Sequence, residues 1–166
     1  IAMSDWSSDV CSSDLINKNM TKEAKMNGIV VVGHNHFAEG VVSAGEMILG
    51  PQEHVKYVCL TEGVDAFSKQ LNETLDEAFG KYDSVVVLAD AKGGTPFNQS
   101  LRYKLENAKD NMYIVAGVNL PLLMELALRL GEDDIEKVLD DVIATGQSSI
   151  ELENVEDDDD DDDDIV

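Results

Sequence analysis

Two histidines, two positions apart, close an apolar run in the stretch Gly28-Ile29-Val30-Val31-Val32-Gly33-His34-Asn35-His36-Phe37-Ala38. Neutral imidazole is nucleophilic near neutral pH and can take a phosphoryl group on one ring nitrogen. A helical pattern follows at once. Its first turn offers free backbone N–H groups and a positive dipole end, both favourable to phosphoryl oxygens. Position alone leaves open whether His34 does chemistry or is a satisfied polar residue on a loop.

A second stretch reads Leu88-Ala89-Asp90-Ala91-Lys92-Gly93-Gly94-Thr95-Pro96-Phe97-Asn98. A carboxylate at Asp90 can hold one imidazole N–H and leave the other ring nitrogen free to attack. Gly93 and Gly94 let the backbone come close to an anion. The Thr95 hydroxyl and the N–H groups after it can donate to phosphate. The competing reading is a tight turn ahead of a capped helix. No Gly-x-x-x-x-Gly-Lys-Ser/Thr pattern occurs, so ATP use is not suggested. In a third stretch, Gly117-Val118-Asn119-Leu120-Pro121, Asn119 reads as a helix cap in preference to a ligand donor.

His36 completes a His-x-His pair that, with Asp90 or Glu39, has donors for zinc. Three histidines in the chain are sparse for a structural zinc set, and no metal is expected. His54 reads as a surface residue. Cys59 reads as a buried free thiol, and Cys11 falls in a segment set aside below.

The elements that must position these residues alternate between strand and helix. Strands are expected over 28–33, 55–60, 84–88 and 113–118. The first helix, over 38–49, puts Ala38, Val41, Val42, Gly45, Ile48 and Leu49 on one face. The second, over 64–79, does the same with Val64, Phe67, Leu71, Leu75, Ala78 and Phe79. The third opens with Thr95 as cap and Pro96 in its first turn. The fourth opens at Pro121 and ends at Gly131. The last is capped by Asp133 and ends at Gly146. Ile150 and Leu152 alternate with Glu151 and Glu153, the pattern of a short edge strand. The fold class expected is therefore α/β: a mostly parallel open sheet of about four strands with helices on both faces, plus that C-terminal edge strand. In such sheets ligands bind beyond the carboxyl ends of the strands, where the three loops lie.

The chain carries 34 acidic against 12 basic residues, a net charge of −22. That balance argues against nucleic acid and suits a basic protein partner. Much of it sits in Glu156–Asp164, nine acids in a row. Such a run repels itself and buries nothing, so 154–166 is expected to be an acidic disordered tail. Residues 1–25 repeat Ser-Ser-Asp between Ser4 and Leu15 without a sustained period. They read as a non-native or disordered extension that resembles translated sequencing-adapter read-through, with Met26 the natural first residue. One domain is left, 26–153. The chain has neither an apolar run of the roughly 20 residues that span a bilayer nor a signal-peptide pattern at its start, and a cytoplasmic protein is expected.

These motifs together resemble the IIA component of the mannose family of the bacterial phosphoenolpyruvate-dependent sugar phosphotransferase system. The resemblance runs over roughly 26–150. Its carriers are Gly33-His34-Asn35-His36-Phe37-Ala38, Glu46-Met47-Ile48-Leu49-Gly50, Asp90 with Gly93-Gly94-Thr95-Pro96-Phe97-Asn98, and Ala116-Gly117-Val118-Asn119-Leu120-Pro121, in that order. It implies that His34, rather than His36, carries the phosphoryl group and that Asp90 orients it. Thr95 stands where serine is common and keeps the donor. Asn35 stands where glycine is common and tolerates a left-handed backbone. Asn35, Gly93 and Gly94 would surround the phosphoryl group. The resemblance also implies the partners: the histidine phosphocarrier protein as donor and the IIB component as acceptor, serving membrane IIC and IID components. It implies no cofactor, and a homodimer. A phosphocarrier for a dihydroxyacetone kinase would share this fold and chemistry. A metal-dependent hydrolase using His34, His36 and Asp90, and a non-catalytic anion-binding module, are alternatives of other classes.

Overall fold

The computed structural model describes residues 26–153. The expected extension over 1–25 and the expected acidic tail over 154–166 lie outside them. In chain order the elements are β1 (Asn27–His34), α1 (Phe37–Leu49), β2 (Val55–Leu60), α2 (Val64–Lys81), β3 (Ser84–Ala89), α3 (Thr95–Glu106), β4 (Met112–Ala116), α4 (Leu120–Leu128) and α5 (Ile135–Ser148). The strands form one parallel sheet in the order β2-β1-β3-β4. The two central strands are the apolar runs. Residues 27–33 of β1 and 85–89 of β3 are buried, as strands covered on both faces must be.

Side chains alternate across the sheet and divide the interior in two. On one face Ile29, Val31, Val86 and Leu88 pack with Ala38 and Val42 of α1, Leu122 and Leu126 of α4, and Val138 and Val142 of α5. On the other, Val30, Val32, Val85 and Val87 pack with Phe67, Leu71 and Leu75 of α2 and Tyr103 of α3. The strand order reverses between β1 and β3. Register aligns Val32 with Ala89 across that pair, so both strands deliver their next residues to the same end of the sheet.

Several boundaries differ from the sequence expectation, each for a physical reason. Gly94, in extended conformation, is the N-cap of α3, so Thr95 is its first helical residue and not its cap. Asp134, not Asp133, caps α5 by accepting from the Lys137 N–H at 3.1 Å. Gly146 does not end α5, which runs on to Ser148. A Cβ on Gly146 would lie 3.0 Å from Leu122 Cβ and 3.1 Å from Asn119 Oδ1, so that glycine serves the contact with α4. β4 stops at Ala116 because the Gly117 and Val118 N–H groups both turn back to the Ala89 carbonyl, at 2.9 and 3.1 Å. α4 ends at Leu128, before Gly131.

Ile48 and Val64, expected on inner faces, are exposed at the ends of their helices. His54 is half-buried, and its Nδ1 lies 3.1 Å from the Tyr82 hydroxyl. Cys59 is a free thiol, half-buried against the α1 side of the core.

The C-terminal edge strand is absent: residues 150–153 form no regular structure. Ile150 and Leu152 are 79% and 84% exposed. Two apolar side chains flanked by glutamates, just past a helix end, bury too little in their own chain to fix a strand. Among the described residues no helix is long and apolar enough to cross a membrane.

Candidate functional site

β1 and β3 end side by side, and their next residues make the site. His34 is the last residue of β1 and Asp90 the first after β3. The Asp90 N–H donates to the Val32 carbonyl at 3.1 Å, which ties the start of the second loop to β1. Asp90 Oδ2 accepts two hydrogen bonds from His34, one from its backbone N–H and one from ring Nδ1, both at 2.7 Å. The other oxygen, Oδ1, accepts from the Ala91 N–H at 2.8 Å. An ionised carboxylate only accepts, so His34 Nδ1 carries the hydrogen and Nε2 keeps its lone pair. The carboxylate side chain is 12% exposed and the imidazole 49%. The carboxylate is thus covered while the imidazole reaches solvent.

Burial pushes the Asp90 carboxyl upward. The His34 backbone N–H and ring N–H, the charge the ring carries when protonated, and the Ala91 N–H outweigh burial and hold it below the usual carboxylate range. Asp90 therefore stays ionised at neutral pH, as an acceptor for Nδ1–H requires.

The loop after β1 turns on Asn35, which has a φ of 48°. Asparagine is among the few side chains that take this left-handed conformation at low cost. The Asn35 N–H is spent on the Leu60 carbonyl at 3.0 Å. Asn35 therefore contributes the turn and offers no free backbone donor to an anion. His36 follows as the N-cap position of α1 without a side-chain cap bond. Its Nδ1 pairs with Glu39 Oε2 at 2.9 Å, and its side chain is 73% exposed. His34 and His36 thus have separate carboxylate partners. Among the described residues no group of three or more His, Cys, Asp or Glu side chains is placed to hold a metal ion. The arrangement does not fit the hydrolase reading.

The loop after β3 supplies the wall opposite. Gly93 takes a φ of 78°, open to glycine. The Asn98 side chain pins its carbonyl with a 2.9 Å bond. Gly94 lies against the imidazole: a Cβ there would sit 2.9 Å from His34 Cε1 and 3.7 Å from Nε2. Thr95 follows, half-buried in the first turn of α3. His34, Asp90, Gly94 and the start of α3 thus come together, whereas His36 stands apart with Glu39.

Sequence reasoning missed Gly33. A Cβ there would lie 3.3 Å from Asp90 Oδ2, 3.3 Å from the Ala38 nitrogen and 3.0 Å from Phe37 Cδ1. A glycine in a run of valines was the available signal, since glycine inside a strand marks a close approach. Asn119 caps α4 as expected, accepting from the Leu122 N–H at 3.1 Å.

A family profile described as "PTS system fructose IIA component" matches residues 28–143. The mannose-specific EIIAB component of Escherichia coli K12 is 30% identical over 126 residues, which cover 74% of this chain and 38% of that protein. The chain thus spans well under half the length of that relative. The sorbose-specific EIIA component of Lacticaseibacillus casei is 30% identical over 113 residues, covering 67% of this chain and 79% of that one. Among solved structures, phosphotransferase system component EIIA from Streptococcus agalactiae superposes with a TM-score of 0.68 at 30% identity. The match covers 76% of this chain and 97% of that one.

Proposed function

Because the chain belongs to the mannose-family IIA components, the family described as PTS system fructose IIA component, we propose that it is a phosphocarrier whose His34 Nε2 takes a phosphoryl group in the sugar phosphotransferase relay. The observation that carries this reading is the pair of 2.7 Å bonds from His34 to Asp90 Oδ2. They leave Nε2 as the ring's nucleophile.

The donor is the histidine phosphocarrier protein in its phosphohistidine form. Nε2 attacks phosphorus in line, the N–P bond of the donor breaks, and a new N–P bond forms on His34. The donor imidazole leaves with its electron pair. Asp90 goes on accepting from Nδ1–H and steadies the ring as it gains positive charge. Free N–H groups at the start of α3 and the Thr95 hydroxyl meet the phosphoryl oxygens, whose charge is spread in a loose transition state. The reverse geometry then passes the group to a histidine on the IIB component, which serves the membrane IIC and IID components. The protein needs no cofactor for this exchange. It acts in the cytoplasm, where phosphoenolpyruvate feeds the relay. The two relatives named above carry different sugars in their names, which supports a relay role separate from sugar choice.

We take the working form to be a homodimer. Among the described residues β4 pairs only with β3, which leaves its outer edge open. Beside that edge runs a groove of about 400 Å³ lined by Phe97, Ile114, Val115, Ile143 and Ile150 among others. An open edge with apolar surface invites a second chain.

The relay is tested by loading the protein with labelled phosphoryl groups from phosphoenolpyruvate, enzyme I and the histidine phosphocarrier protein, then adding a purified IIB component. Label should leave this chain and appear on IIB. Label that reaches this chain but never transfers would overturn the relay reading.

A further inference from the structure

The phosphocarrier reading leaves one contact without a role. The Gly94 backbone lies so close to the imidazole that a single added carbon would sit 2.9 Å from His34 Cε1. Gly94 has φ −68° and ψ 165°, an extended conformation open to any residue. The backbone therefore does not require glycine here, unlike at Gly93 with its φ of 78°. What requires it is space for the ring.

The opposite side of the pair is built in the same way. Gly33 occupies an ordinary strand position, yet its absent Cβ leaves room for Asp90 Oδ2, which would otherwise face it at 3.3 Å. That room lets one oxygen reach both the backbone N–H and Nδ1 of His34.

We infer that Gly94 and Gly33 are positioning residues: Gly94 stops the His34 ring from turning or tilting toward α3, and Gly33 lets Asp90 close on Nδ1 from behind. Together they hold Nε2 on the line of attack. Neither glycine touches the phosphoryl group in this role. The Gly94 surface that faces the ring is bare backbone, which side-chain motion cannot withdraw. A methyl group at position 94 would meet His34 Cε1 at 2.9 Å, closer than side-chain carbons pack, so the ring has to shift and its bond to Asp90 with it, whereas the Ala91 carbonyl at 3.4 Å would remain in ordinary contact. A small displacement of a reacting atom costs on the order of 100-fold in rate.

The inference rests on the phosphocarrier reading, and one set of experiments separates the two. Phosphoryl uptake is followed at single turnover in wild type, Gly94→Ala, Gly33→Ala and Gly40→Ala. Gly40 lies on α1 with nothing within 4 Å of an added Cβ, so it reports the effect of a glycine replacement alone. Nitrogen-15 spectra of His34 give the tautomer and the strength of the Nδ1 hydrogen bond in each protein, and thermal melts check folding. The expected result is a loss of about 10- to 100-fold in the rate constant for Gly94→Ala. The Nδ1–H signal should shift toward a free imidazole, while apparent affinity for the donor and Gly40→Ala transfer stay unchanged. Gly33→Ala should weaken the same Nδ1 signal. If folded Gly94→Ala transfers at the wild-type rate with the wild-type spectrum, the positioning role is overturned. If wild type itself takes no phosphoryl group from an active donor, the phosphocarrier reading fails instead. In that case the spectra alone decide whether Gly94 sets the ring.

Discussion

In the proposed relay, His34 and Asp90 divide the labour that a single imidazole cannot do alone. A free imidazole exchanges its hydrogen between two nitrogens and presents either one. Asp90 removes that ambiguity by accepting a hydrogen bond from Nδ1–H at 2.7 Å. Asp90→Asn should therefore slow phosphoryl uptake by about 100-fold or more, because the amide no longer selects the tautomer. Single-turnover rates against wild type check this. The pair also links stability to pH. The folded-state carboxyl is held below its usual range. Its stabilising contribution is complete above the ordinary carboxylate pKa and disappears as pH falls through the lower folded value. Urea unfolding of wild type and Asp90→Asn should differ at neutral pH and converge below about pH 4. A difference that persists unchanged into acid would mean that the pair does not link folding to the Asp90 charge.

At the scale of elements, much of the site was legible because strands and turns announce themselves in local sequence. The valine run of β1 and the Ser84–Leu88 run stand out as strands buried on both faces, and each ends beside a polar residue, His34 or Asp90. What local sequence hid was anything settled between elements. Thr95-Pro96 looks like a cap and first turn, but Gly94, in extended conformation, holds the cap position and Thr95 already lies in the helix. Gly146 looks like a helix stop, but it is a close contact for Leu122 and Asn119. The 150–153 strand pattern was a true alternation with no face of its own chain to bury.

Asn119 is the residue that joins these elements. It caps α4 through the Leu122 N–H, and its amide donates to the Gly146 carbonyl at 2.7 Å, near the end of α5. Asn119→Ala should cost about 1–2 kcal/mol in chemical denaturation. It should leave the His34 tautomer unchanged, since neither 2.7 Å bond at the pair involves it. For comparison, Leu71→Ala empties a fully buried position between the sheet and α2. It should cost about 2–5 kcal/mol.

For the whole molecule, the acidic balance has a kinetic consequence. A net charge of −22 gives the chain a negative field that attracts a basic partner from a distance. Raising ionic strength from about 0.05 M to 0.5 M shortens the screening length to a few ångströms. The second-order rate constant for phosphoryl transfer should fall across that range, while the first-order step within the complex should hold steady. A rate constant indifferent to salt would remove electrostatic steering from the encounter. The open edge of β4 belongs to this scale as well. Sedimentation equilibrium should find a dimer, and substituting lysine for Val115 should shift it toward monomer.

The proposed phosphoryl relay depends on His34 being the acceptor. The most direct test incubates wild type, His34→Ala and His36→Ala with phosphoenolpyruvate, enzyme I and the histidine phosphocarrier protein, then measures intact mass before and after mild acid. The expected result is one acid-labile phosphoryl group on wild type and on His36→Ala, and none on His34→Ala. A phosphoryl group that persists in His34→Ala and disappears in His36→Ala would move the chemistry to the His36–Glu39 pair and contradict the central claim.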